Sequence, residues 1–321
     1  AMGWSTKFAD NKVAVGVGAL AIGGFGVDYA ASTSNAILAP RQMGGFGQVY
    51  SNYGLMKISP AIAFAATDKL WLGFAANVDW ASLAVDPMPA AAPAVDAGPD
   101  GIPGTPDDRA IYSSAAAADG AFGFGFQAGA IYRPNDLISV GASFNSAQYF
   151  SDFEFNSTFD NPNLPDFGMP RTIEFNLDVP MMVGAGVSLR PMPQLLLASD
   201  FRYMFYEQTD GFKIPEGQGV FNADGSVAGF GWENIYSVHV GGDFRASDLV
   251  SLRAGYNFSQ NPIPDSLAMI NVAAPGIVQH HATLGFGIRP TRRFEISAAY
   301  YHAFENQGAG TFISPMGAMP G

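Results

Sequence analysis

Tight polar turns punctuate this chain at Ala9-Asp10-Asn11, Ala66-Thr67-Asp68, Arg133-Pro134-Asn135-Asp136, Arg190-Pro191-Met192-Pro193, Arg245-Ala246-Ser247-Asp248 and Arg289-Pro290-Thr291-Arg292. Between successive turns lie two alternating segments joined by a long stretch rich in Gly, Pro, Asn and Asp. In an antiparallel meander such a rhythm puts every short turn at one rim and every long loop at the other. That is the layout of a transmembrane β-barrel. Side chains alternate along a strand, so each strand has two faces that can be read separately. Leu252, Ala254, Tyr256 and Phe258 share one face, and Arg253, Gly255, Asn257 and Ser259 the other. Phe294, Ile296, Ala298 and Tyr300 oppose Glu295, Ser297, Ala299 and Tyr301 in the same way.

A soluble sandwich would alternate too. Two features favour the membrane: segments long enough to cross a bilayer when tilted, and aromatics that recur near segment ends. Composition agrees. Of the 321 residues 48% are hydrophobic and only 14% charged, yet no apolar run approaches the roughly 20 residues of a spanning helix. The formal net charge of −12 makes nucleic acid an unfavourable partner. Absence of cysteine fits an exported barrel without disulfides. The expected fold is an all-β antiparallel barrel with about 12 strands in view, forming a single domain over residues 1–321. Its second strand is expected at residues 12–22, running on towards Tyr29, its sixth at 137–155 and its seventh at 171–190.

Ordered segments carry a family resemblance. They are the run from Lys12-Val13-Ala14-Val15-Gly16 to Gly23-Gly24-Phe25-Gly26-Val27-Asp28-Tyr29, then Lys57-Ile58-Ser59-Pro60, Gly123-Phe124-Gly125-Phe126-Gln127 and Leu177-Asp178-Val179-Pro180. The longest stretches from Trp232-Glu233-Asn234 through Leu252-Arg253-Ala254-Gly255-Tyr256-Asn257 to Pro262-Ile263-Pro264-Asp265. Together they resemble the FadL-type (OmpP1/FadL/TodX) long-chain fatty-acid and hydrocarbon transporters of Gram-negative outer membranes. The resemblance implies a fourteen-stranded barrel with an N-terminal plug, and passive carriage of apolar small molecules to a lateral opening at a kinked strand. No plug is legible here, and a strand is missing on each side, so the chain is expected to be a fragment. The expected setting is the outer membrane, with its lipid and a hydrophobic ligand as partners. The alternative is a structural or adhesion barrel presenting its loops.

On this pattern the kink falls at Gly23, Gly24, Phe25 and Gly26, where glycines let ladder pairing lapse. Ordinary relief of strand twist is the competing reading. Trp71 and Tyr301 are candidate ligand contacts, or else lumen filling. Asp96, Asp100, Gly101, Ile102 and Asp107 match positions of a calcium loop, with Asp108 beside them. Gly98 stands where an oxygen ligand is usual and Asp107 where the longer Glu is, and both departures favour a solvated Pro/Gly/Asp loop. No cofactor is required. Ser237, His239 and Asp243 share a face without a nucleophile motif, so no enzyme is expected. The inner-face charges Asp79, Asp200, Arg202, Arg253 and Glu295 suit lumen networks, and the paired glycines Gly123 and Gly125 suit close packing by an inward segment.

Overall fold

The computed structural model describes residues 1–310 apart from 44, 103, 104, 106, 292 and 293, and leaves aside the side chain of residue 42. Its strands are β1 (Met2–Phe8), β2 (Val13–Tyr29), β3 (Val49–Ala65), β4 (Leu70–Asp86), β5 (Ala94–Asp96), β6 (Arg109–Ile111), β7 (Ala115–Tyr132), β8 (Ile138–Asn145) and β9 (Tyr149–Phe150). Then come β10 (Phe153–Thr158), β11 (Pro170–Phe175), β12 (Met182–Met192), β13 (Leu195–Met204), β14 (Ile235–Arg245), β15 (Val250–Ser259), β16 (His280–Thr291) and β17 (Phe294–Ala303). One antiparallel sheet runs β1-β2-β3-β4-β7-β8-β12-β13-β14-β15-β16-β17, with β9 added beside β7. Among the described residues no helix is long and apolar enough to cross a membrane; the strands do the crossing.

The short turns have a shared local cause. The Thr67 hydroxyl accepts the N–H groups of Lys69 and Leu70 at 3.2 and 3.0 Å. The Asn135 carbonyl accepts those of Leu137 and Ile138, both at 3.0 Å. The Ser247 hydroxyl accepts those of Leu249 and Val250 at 3.2 and 3.1 Å. A short polar side chain placed just before an Asp therefore folds back on the backbone two and three residues on. Ala9, Asp10 and Asn11 turn instead through three successive positive φ angles of 49, 54 and 68°. These turns all lie at one rim, as their alternation requires; Arg292 of the sixth lies outside the described residues.

Outward faces are apolar and exposed: Phe74, Phe124, Phe126, Val240, Leu252, Leu284 and Phe286 face where lipid would be. The core sits elsewhere, at the long-loop end of the lumen. Val49, Leu55, Ala81, Leu83, Val85, Ala121, Phe150, Phe153, Phe155 and Ile173 cluster there with Met88, Leu177 and Ala273 from the connections. The expected sixth and seventh strands are each divided. Regular pairing of β8 with β12 ends at Asn145↔Met182. Beyond a bridge at Gln148↔Val179, the chain re-forms as a separate hairpin of β10 and β11. Pro180 has no N–H to donate, and Phe153 and Phe155 bury inward on the core instead of continuing the wall. The paired glycines opposite explain why the division fits: a Cβ at Gly123 would lie 2.6 Å from the Phe150 ring, and one at Gly125 would overlap Gln148.

Candidate functional site

The loops that fill the lumen leave a slit between them. It is lined by Phe25 of β2, Leu83 and Val85 of β4, Met88, Phe175, Leu177, Val227, Phe230 and Ala273, and encloses with its mouth about 500 Å³ of empty space. No lining side chain carries a hydrogen-bonding group. The nearby backbone is also occupied: Phe230 N–H donates to Gly211 O at 3.0 Å, Val227 N–H to Pro89 O at 2.8 Å, and Phe230 O accepts the Asn271 amide at 2.9 Å. An aromatic chain leads away from the slit. Phe175 packs on Phe230 at 5.9 Å between centroids, Phe230 on Phe212 at 5.9 Å, and Phe212 on Trp232 at 4.8 Å. Tyr206 packs on Phe212 and Trp232, and burial pushes its phenol up to about 12.

Below the slit the same lumen face turns polar. Leu55, Ala81, Ala121 and Phe150 are buried apolar side chains of the same cluster, next along the lumen. Beneath them the Ser59 hydroxyl donates to Asn77 at 2.9 Å, the Asn77 amide donates to Gln148 at 3.0 Å, and Gln148 donates to Ser146 O at 2.7 Å. Asp79 is fully buried in this layer, and among the described residues neither carboxylate oxygen has a hydrogen-bond partner. Farther down, Arg253 pairs with Asp243 at 2.7 Å and with Glu295 at 3.3 Å.

The Gly23–Gly26 stretch meets the slit through a device that sequence alone did not reveal. Ala21 pairs with Met56, but Gly23 pairs with Leu55, so Ile22 is an extra residue, a β-bulge. The alternation flips there. Val15 and Val17 lie on the outward face before it, whereas Phe25 after it packs with the inward core and stacks on Tyr53 at 5.1 Å. Gly23, Gly24, Phe25 and Gly26 are all paired with β3, while β1 pairs with β2 only as far as Ala19. Gly24 approaches its neighbour closely: a Cβ would stand 2.8 Å from Tyr53 O, so valine there would strain the wall instead of regularising it.

The other candidates lie apart from the slit. Trp71 is at the short-turn end of the lumen, with the Arg133 guanidinium 5.5 Å over its ring. Tyr301 is 69% exposed on β17. In the acidic loop, Gly98 and Gly101 both have φ of +65°. The Thr105 hydroxyl stands 3.4 Å from Asp100, 2.7 Å from Asp107 and 3.4 Å from Asp108, and 3.0 Å from Ile102 O. The Thr105 bond also holds the Asp107 carboxyl below its usual range. Asp96 turns to the Gly98 N–H at 2.9 Å and to Asn163 at 2.8 Å. Among the described residues no three His, Asp or Glu side chains form a metal-sized group. Ser237 and His239 are 3.1 Å apart. His280 bonds Tyr256 and His281 bonds Asn257, on opposite faces.

Residues 3–311 match the model of a family described as outer membrane protein transport protein (OMPP1/FadL/TodX). Among solved structures, a Pseudomonas aeruginosa FadL homologue superposes with a TM-score of 0.66 at 18% identity, over 94% of this chain and 69% of its own. The Ralstonia pickettii toluene transporter TbuX gives 0.62 at 16% identity, over 94% and 75%. The P. putida toluene transporter TodX gives 0.62 at 16%, over 92% and 73%. At these identities the likeness is one of fold. No curated protein matches the chain.

Proposed function

The chain belongs to the outer membrane protein transport protein family (OMPP1/FadL/TodX), and on that premise we propose that it takes up small hydrocarbons passively, through the apolar slit and out sideways beside the bulge of β2. It is an outer-membrane transport barrel and not an enzyme. The observation that carries the proposal is the slit's lining: apolar side chains throughout, with the neighbouring polar backbone already bonded. A carboxylate entering it would lose hydration without a partner, which costs several kcal/mol. A hydrocarbon loses nothing and gains roughly 25 cal/mol per Å² of apolar surface buried. That favours an unsubstituted hydrocarbon over a fatty acid; the toluene transporters similar in fold support the same choice.

The lateral route draws support from what surrounds the slit. Downward, buried Leu55, Ala81, Ala121 and Phe150 give way to a hydrogen-bonded polar layer that disfavours an apolar solute. Sideways, Phe25 reaches the slit from the bulged strand itself. The loops bury their aromatics inward instead of presenting a rigid outer surface, which favours transport over adhesion. The chain works on this reading as one barrel domain. Calcium in the Asp96–Asp108 loop is a separate proposal that transport does not need; a calcium titration that leaves loop hydrogen exchange unchanged ends it.

The slit is tested by Ala274→Phe, which fills it, and the lateral route by deleting Ile22. Without the extra residue Ala21 and Gly23 would continue one regular ladder opposite Met56 and Leu55, which removes the bulge and leaves Phe25 opposite Tyr53. Uptake of a monoaromatic hydrocarbon in a transporter-null strain, normalised to folded barrel, should fall at least about tenfold in both. Normal uptake after filling would reject the slit; normal uptake after the deletion would leave an axial path.

A further inference from the structure

The slit is narrow: its enclosed part is far smaller than the roughly 150 Å³ cavity that accommodates a benzene ring. If it is the ligand site, one wall has to move. Phe25, Leu83 and Val85 belong to β2 and β4, which are bonded along their length to β3. Phe230 is held by buried Asn271, which donates to Phe230 O and Leu267 O and accepts from Trp232, and Ala273 O accepts the Ser51 hydroxyl of β3. Phe175 and Leu177 have a different support. They belong to the β10–β11 hairpin and its stem, which lie outside the wall sheet.

At the stem a few backbone bonds remain, Gln148 with Val179 in both directions and Ser151 N–H to Phe122 O at 2.9 Å, and side chains supply the rest. Phe150 N–H donates to the Asp178 carboxylate at 2.7 Å. The Asn176 amide donates to Phe150 O at 3.0 Å and to Asp152 at 2.9 Å. Glu154 N–H donates to Asp119 at 2.7 Å. The far end is tied by side chains as well: Arg171 to Ala92 O at 3.1 Å, Asn161 to Val95 O at 3.1 Å, and the Ser157 hydroxyl to Ser114 O. Such bonds can break singly, without unzipping a ladder; the burial of Phe153, Phe155 and Ile173 in the loop core is what holds the hairpin down at rest. The hairpin is itself a paired unit from Phe153↔Phe175 to Thr158↔Pro170, so it can move as one body.

We propose that the β10–β11 hairpin is a flap over the slit, hinged at Ser151–Asp152 and Asn176–Met181, and that its swing opens the slit to the hydrocarbon. The flap rests on the reading of the slit as the ligand site. Opening withdraws Phe175 and Leu177 from the slit while β2, β4 and the bulge keep their places. Asn176 and Asp178 are then positioning residues: they set where the flap comes to rest and touch no ligand.

The chain has no cysteine, so a staple can be added cleanly. Ser114→Cys with Ser157→Cys places thiols on the flap and at the foot of β7. Full-length protein in outer membranes is oxidised, disulfide formation is checked by mass, and hydrocarbon uptake is measured before and after reduction of the same sample. The flap predicts at least a tenfold fall on oxidation and full recovery on reduction. Equal uptake in both states overturns it. Ala274→Phe is run alongside: a block there without a block by the staple rejects the flap and keeps the slit, and no block by either rejects both. Where the staple does not form, Asn176→Ala with Asp178→Ala provides the decision. Amides of residues 153–175 should then exchange at least tenfold faster while those of β12–β14 do not change; unchanged exchange in the hairpin overturns the flap.

Discussion

The two ends of this barrel use one wall to opposite purposes. At the short-turn end the strands are apolar outside and mixed inside, and the lumen carries Asn77, Asp79, Asp243, Arg253 and Glu295. At the long-loop end the apolar side chains change faces. Along β4, Phe74, Val78 and Trp80 point outward and are exposed, and then Ala81, Leu83 and Val85 point inward and are buried. β2 makes the same change by inserting Ile22. The difference marks where the wall leaves lipid: within the bilayer apolar groups belong outside, and above it they belong inside, where loops can cover them.

The largest test of that contrast is Phe153→Ala. Emptying a fully buried position should cost about 3–5 kcal/mol and loosen the loop core. Phe286→Ala, outward on β16, should cost much less, because lipid fills the space. Urea unfolding in vesicles, followed by a loop probe and a wall probe, measures both; equal losses would break the comparison. Next in size, Ala254→Arg on the lipid face should cost roughly 2–4 kcal/mol near the midplane. Ser251→Arg, on the lumen face of the same strand, should cost far less. Thr67→Ala removes an acceptor shared by two N–H groups and should cost about 1 kcal/mol at the turn, leaving the loop core unchanged in the same titration.

The smallest effect concerns pH at the flap stem. Burial raises the Asp178 carboxyl above the ordinary range, against the pull of the Phe150 N–H. A carboxyl raised in the folded state binds its proton more readily there than in the unfolded chain. Its contribution is therefore fully present below the unfolded value and is lost as pH rises through the folded one. Hydrogen exchange at residues 150 and 175–178, corrected for intrinsic rates, should show stronger protection as pH falls through the carboxylate range. Asp178→Asn should flatten that dependence. A dependence that survives the substitution would assign it to another group.

Much of the wall was legible because its causes are local. Thr67, Asn135 and Ser247 fold their turns from within four residues, and Leu252 to Phe258 alternate by strand geometry alone. The division of the sixth and seventh strands was not legible. Phe153 and Phe155 alternate as lipid-facing residues do, and only the presence of Leu83 and Met88 opposite makes that face internal. The slit was hidden for a similar reason: its lining comes from β2, β4, the flap stem and three loops, far apart in the chain. Trp71 and Tyr301 were singled out by residue type; Trp71 lines a second concavity at the short-turn end, and the slit forms at the other end.

The sequence by itself determined the antiparallel order, the rim at which the turns lie, the outward apolar face and the family, because these depend on period, on nearest neighbours and on motifs in order. The tertiary structure alone decided that Ile22 is a bulge and that Phe25 points inward, since register is a relation between two strands. It also decided that the β10–β11 hairpin folds over the lumen and that the space left beneath it is apolar and narrow. Those outcomes depend on distant side chains meeting, which no local pattern records.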